Sequence, residues 1–85
     1  MTLANVSHTQ NGNQVTLRWT SVAGSTNVDI FLRDDSEGSF NKLATKTLSS
    51  ESYTFTVTRN GEHIIKFIPD NGGTETTYTF NVSGI

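Results

Sequence analysis

Strict alternation of apolar and polar residues is the feature that most constrains how this 85-residue chain folds. Val15, Leu17 and Trp19 alternate with polar neighbours. The same period of two recurs over Val28–Leu32, Tyr53–Val57 and Tyr78–Val82. Because successive side chains of a strand point to opposite faces, each of these segments has one apolar face. The pattern predicts an antiparallel all-β protein whose apolar faces share a single core.

Turn signals divide the chain into about seven strands, the arrangement typical of an antiparallel β-sandwich. The predicted strands are Leu3–Thr9, Gln14–Thr20, Asn27–Arg33, Asn41–Thr47, Ser52–Thr58, Glu62–Ile68 and Thr76–Ser83. The uneven spacing of Leu3 and Val6 predicts a bulge in the first strand. Apolar residues between 40 and 48 also fall at helical spacing, so a short helix stays open there. The threonines of that segment favour a strand.

Size and charge limit the class of protein. The chain is long enough for one domain, residues 1–85, and we expect it to be excised from a larger multidomain protein. It has no cysteine, and its net charge of −2 comes with six scattered Lys and Arg residues, which argues against nucleic acid as a partner. No apolar run is long enough for membrane insertion, and we expect no cofactor. The Thr- and Asn-rich composition suits an extracellular or cell-surface module.

Three segments carry a resemblance to a known family. Val15–Thr20 resembles the second strand of a fibronectin type III domain, whose Trp packs at the centre of the core. Val57–His63 resembles that family's Leu-x-Pro-Gly-x-x-Tyr turn, and Asp70–Thr74 resembles its Asn-Gly-rich loop. The turn lacks the Pro and has His63 where the family has Tyr. The chain is therefore similar either to a divergent fibronectin type III domain or to a bacterial immunoglobulin-like relative.

The resemblance implies a function without catalysis. Such domains act as spacers or binding platforms, so we expect an accessory module of a secreted or cell-surface, bacterial protein. It would position neighbouring catalytic or adhesive domains of the same chain, and it would be monomeric in isolation. The alternative is a ligand-binding module for a polysaccharide or a surface protein. His8 and His63 are expected to be structural, because no nucleophile elbow accompanies them.

The outward side of the third and sixth strands offers candidate binding residues. If the alternation holds, Phe31, Ile64 and Ile68 face outward around Lys66 and form an apolar patch. A contiguous patch often marks a contact surface. The alternative is that the following loop, with Phe40, folds over the patch.

Two loops and one acidic turn complete the candidates. The loops 21–26 and 69–75 are expected at the same end of the sandwich, where Asn71 and Thr74 would be available for binding. The acidic turn contributes Asp34, Asp35 and Glu37, which are weak candidates for calcium ligands. Their spacing does not match an EF-hand loop, so a solvated turn is favoured and no metal is expected.

Overall fold

The computed structural model describes residues 4–21, 26–34, 38–70 and 74–85. Within these ranges lie seven strands and one short 3₁₀ turn, η1. They are β1 (Ala4–Asn11), β2 (Gln14–Thr20), β3 (Asn27–Asp34), β4 (Asn41–Thr47), η1 (Leu48–Ser50), β5 (Ser52–Thr56), β6 (Gly61–Pro69) and β7 (Thr76–Val82). The alternation read from the sequence therefore predicted the strands, and the segment open to a helix is strand β4.

The strands form two antiparallel sheets that pack face to face. One sheet has three strands in the order β1-β2-β5, and the other has four in the order β4-β3-β6-β7. The segment from β4 through η1 to β5 crosses from the larger sheet to the smaller one. This is the predicted β-sandwich, with both inner faces closing on one core.

The core consists of the alternating apolar residues of both sheets. Its buried members are Val15, Leu17, Trp19, Val28, Ile30, Leu48, Phe55, Val57, Ile65, Phe67, Phe80 and Val82. Trp19 is 4% exposed and packs against Phe67, with ring centroids 5.5 Å apart. Its indole Nε1 donates a hydrogen bond to the Leu48 carbonyl at 2.8 Å. The predicted central position of Trp19 is thus confirmed, and its polar atom is satisfied inside the core.

Strand ends differ from the sequence prediction where turn residues join the ladder. The predicted bulge is confirmed, because the β1–β2 register shifts between Ala4 and Ser7, where Asn5 has a φ of 54°. Asp34 extends β3, although it was predicted to open the acidic turn. Pro69 ends β6 rather than starting the loop; proline is tolerated at a strand end, where a ladder donor is not needed.

The first and last strands run side by side in the same direction. The side chain of Gln10, near the end of β1, donates to the Ser83 carbonyl at 2.7 Å and accepts from the Ser83 N–H at 3.4 Å. His8 Nδ1 lies 2.6 Å from the Tyr78 hydroxyl. The end of β7 therefore meets the end of β1, and the start of β1 lies about 20–25 Å away along the strand. The longest dimension of the molecule is 38 Å.

Candidate functional site

The outward side of the four-stranded sheet brings together four of the predicted binding residues. Phe31 lies directly opposite Lys66 across β3 and β6, and the neighbouring outward positions of β6 hold Ile64 and Ile68. Phe40, which precedes β4, contacts the same surface through Lys66. These five residues are called the outer face below.

A lysine lies between two phenyl rings at the centre of the outer face. Lys66 Nζ is 4.3 Å from the ring centroid of Phe40 and 5.6 Å from that of Phe31. The guanidinium of Arg33 lies 5.7 Å from the Phe40 ring as well. Glu75 Oε2 is 4.0 Å from Lys66 Nζ. Attraction between a cation and the ring quadrupole holds Phe40 against the sheet.

The outer face is consequently half-buried rather than open. Phe31, Ile64 and Ile68 are all of intermediate exposure, as is Phe40. Among the described residues, the large apolar side chain that is exposed is Ile85, at the end of the chain. The alternative in which Phe40 covers the patch therefore agrees with the geometry. Cations of this protein lie over the rings of both Phe40 and Phe31.

A polar cluster borders the outer face on the β4 side. The Thr45 hydroxyl donates to Asp29 Oδ1 at 2.6 Å, and Lys42 Nζ lies 3.5 Å from the same oxygen. The hydrogen bond from Thr45, with help from the charge of Lys42, lowers the pKa of Asp29 below its ordinary value of 3.8. Partial desolvation opposes this shift. Asp29 therefore stays ionised into the acidic range and anchors β4 to β3.

The two predicted recognition loops approach one another at their described ends. The Thr26 N–H donates to Asp70 Oδ1 at 2.8 Å, and the Asp70 N–H donates to the Asn27 carbonyl at 3.0 Å. This confirms that the loops lie at the same end of the sandwich. Thr74 is exposed just before Glu75. Asn71 lies outside the described residues, so its predicted binding role stays a prediction.

Of the three acidic residues of the turn, the structure describes only Asp34. Asp35 and Glu37 lie outside the described residues, while Asp34 Oδ2 is 3.9 Å from Arg59 Nε. In the described part of the chain, no group of three or more His, Asp or Glu residues is placed to hold a metal ion. The sequence prediction of a solvated turn, with calcium as the weaker alternative, therefore stays untested.

A cavity lies between the sheets beside Asp34 and Arg59. It has a volume of about 370 Å³, and His63 and Leu43 also line it. His63 is 2% exposed and stacks on Phe80, with ring centroids 5.5 Å apart. Its Nδ1 donates to the Gly61 carbonyl at 3.0 Å. This bond and the stacking place His63 as a core residue at the start of β6, as the sequence predicted.

Sequence reasoning missed two features of these sites. The lysine between two rings was not foreseen, because it depends on where the segment before β4 places Phe40. The pairing of Asp34 with His63 across β3 and β6 was missed because β3 was predicted to end at Arg33. The available signal was the alternation itself: Asp34 lies two residues after the inward Leu32, so continuing the period of two would have extended β3 by one residue.

No helix in the described ranges is long and apolar enough to cross a membrane. Neither a protein-family model nor a curated protein matches the chain. A solved structure does: the crystal structure of a Fn3-like protein from Clostridium thermocellum. The similarity covers 93% of this chain and 81% of the other, with a TM-score of 0.68 and 23% sequence identity. The chain therefore has a fibronectin type III-like fold, as its three sequence motifs predicted.

Proposed function

We propose that this chain is a non-catalytic accessory module of a secreted or cell-surface protein, which holds neighbouring domains a fixed distance apart. The observation that carries the proposal is the arrangement of the first and last strands. Because β1 and β7 run in the same direction, β1 begins at one end of the sandwich and β7 ends at the other. A neighbour joined before β1 and one joined after β7 would be attached at opposite ends of the sandwich, about 20–25 Å apart along the strands.

The seam between β1 and β7 suits this role mechanically. Gln10 joins the two strands through both of its amide atoms, and His8 contacts Tyr78 and Phe80. Ladder hydrogen bonds of antiparallel strands run perpendicular to the strands. A pull along the strands therefore loads many bonds of β1 and β7 together instead of opening them one by one.

The spacer proposal predicts a narrow distance between attached domains. A cysteine-free reporter domain carrying one nitroxide is fused to each end, and the separation is measured by pulsed electron paramagnetic resonance. The matched control replaces the module by a Gly/Ser linker of 85 residues. Such a linker gives a broad distribution with a root-mean-square length of about 50 Å. We expect the folded module to give a distribution several times narrower. A distribution as broad as that of the linker would contradict the proposal.

The second candidate function is binding of a protein or polysaccharide at the outer face. The observation in its favour is the half-buried apolar surface around Lys66, with Arg33 and Lys42 on the same side of the sheet. Its test is an amide NMR titration with Ca²⁺ and with soluble polysaccharides, repeated on Phe31→Ser. Shifts that cluster on β3 and β6 and vanish in Phe31→Ser would favour binding. A spectrum unmoved by millimolar additions would leave the spacer role ahead.

A further inference from the structure

The four edge strands of the sandwich are protected to different degrees. A sheet edge exposes unpaired backbone groups, and proteins guard such edges with bulges, charges, proline or short strands. β1 has the bulge at Asn5, and β5 has only five residues. β4 has a register shift opposite β3 and carries Lys42 and Lys46. Each of these edges has a guard of the usual kind.

The edge strand β7 has none of these guards. Its seven residues, Thr76–Val82, pair with β6 without a register shift and include no charged residue and no proline. Threonine, tyrosine, phenylalanine and valine are all favoured in strands. Within the described ranges, the other side of β7 pairs with no strand. β1 lies beside this edge but contacts β7 through side chains: His8 meets Tyr78 and Phe80, and the Gln10 amide binds the backbone of Ser83, just after the strand. Among the described residues, no backbone hydrogen bond joins β1 to β7.

We propose that the outer edge of β7 pairs antiparallel with β7 of a second copy of this chain, about a two-fold axis through Thr79. This pairing would join two four-stranded sheets into one sheet of eight strands. It goes beyond the proposed spacer function and does not depend on it. The sequence led us to expect a monomer, because the sequence alone does not reveal which edge strand lacks a guard.

The order of residues in β7 fits this symmetric register. Because the strand has seven residues, the register centred on Thr79 uses the whole strand. It also places the inward residues of one copy opposite the inward residues of the other, because a shift by one position would exchange the two faces. Tyr78 then lies opposite Phe80 of the second copy, and Thr77 lies opposite Asn81. Aromatic pairs directly opposite one another stabilise a sheet, and no like charges meet.

A second copy fits the edge better than a charged peptide does. An extended partner must offer backbone groups and neutral side chains in the same alternation, and β7 itself supplies both. One pair of short strands buries less surface than the ~1,200 Å² of small stable interfaces, so the dimer should be weak. Each copy carries a net charge of −2, so added salt should strengthen association by screening repulsion between the copies.

The first test is the mass of the protein in solution. Sedimentation equilibrium from micromolar to millimolar concentration should show the 9.3 kDa chain approaching twice that mass. Thr79→Lys should raise the dissociation constant by at least about tenfold, because it places two lysines opposite each other at the axis. The matched control, Thr58→Lys, changes an exposed threonine outside the strands and should leave association unchanged. Amide NMR spectra check that both variants stay folded.

The second test reports the register directly. Because the chain has no cysteine, Ser83→Cys accepts a single nitroxide, and this labelled protein is mixed with ¹⁵N-labelled, unmodified protein. In the proposed register, position 83 of one copy lies opposite Glu75 of the other. Amide signals of residues 75–77 should therefore broaden in the ¹⁵N-labelled copy. A mass that stays at 9.3 kDa at millimolar concentration, a dimer that tolerates Thr79→Lys, or broadening elsewhere would each overturn the proposal.

Discussion

Replacing Trp19 by alanine tests the architecture most directly, because this side chain joins both sheets. The indole is 4% exposed, packs on Phe67 and donates a hydrogen bond to the Leu48 carbonyl. Trp→Ala in a core costs about 3–5 kcal/mol, through lost burial and the cavity left behind. A domain of this size has a free energy of unfolding of only about 5–10 kcal/mol. We therefore expect Trp19→Ala to lose about a third or more of the free energy of unfolding.

A conservative variant separates the hydrogen bond from the packing. The Leu48 carbonyl also accepts from the Ser21 hydroxyl at 3.0 Å and from the Glu51 N–H at 3.3 Å. Trp19→Phe keeps an aromatic ring and does not leave that carbonyl unpaired. Its cost should therefore be about 1–2 kcal/mol, clearly below that of the alanine variant.

Urea unfolding followed by far-ultraviolet circular dichroism measures both variants. Tryptophan fluorescence cannot serve, because Trp19 is the only tryptophan. Thr58→Ala is the control, since an exposed threonine outside the strands should change stability by less than ~0.5 kcal/mol. A loss below ~1 kcal/mol for Trp19→Ala would refute the reasoning, because removing a central core side chain lowers the free energy of unfolding by more than that.

Three further predictions concern the sheet with the outer face. The folded-state pKa of Asp29 is lowered, so its contribution to stability is present above pH 3.8 and is lost as the pH falls through the folded-state value. Asp29→Asn and Thr45→Val should therefore both reduce the dependence of the free energy of unfolding on pH in that range, as measured by acid unfolding. Lys66→Gln should cost about 1 kcal/mol in urea unfolding, because it removes the cation between two rings, and Lys66→Arg should recover part of this loss. Gly61→Ala should cost about 1–3 kcal/mol, since Gly61 has a φ of 111° that side chains disfavour, whereas Gly38→Ala, with open space around it, should cost far less in the same assay.

The fold was predictable because its signals are local. Alternation decides which side chains are buried, so Gln14–Thr20 was predicted with the bounds that β2 has. Asn41–Thr47 was predicted from its threonines, against a helical spacing of its apolar residues, and β4 has the same bounds. The limits of other strands were missed by one or two residues, as with Asp34 and Pro69. Whether such a residue joins a ladder depends on a partner strand that is distant in sequence.

The candidate site was predictable only in part, for the same reason. The alternation placed Phe31 and Lys66 on the outward side of the sheet, and the structure makes them direct cross-strand partners. Their actual environment depends on Phe40, which lies outside any periodic segment. No local pattern predicts that this phenylalanine contacts a lysine some twenty-five residues away. The contact follows from the path of the chain between β3 and β4.

The missing Pro and Tyr of the family's turn are compensated by residues that the motif does not include. The ring of His63 stacks on Phe80, and its Nδ1–H binds the carbonyl of Gly61, which holds the positive φ at the start of β6. The crossing between the sheets is fixed separately, by three donors that converge on the Leu48 carbonyl. Closure of the sandwich therefore requires that these backbone carbonyls accept hydrogen bonds. The side chain that donates to them can vary. This explains how a chain with 23% identity to a solved structure can have a similar fold.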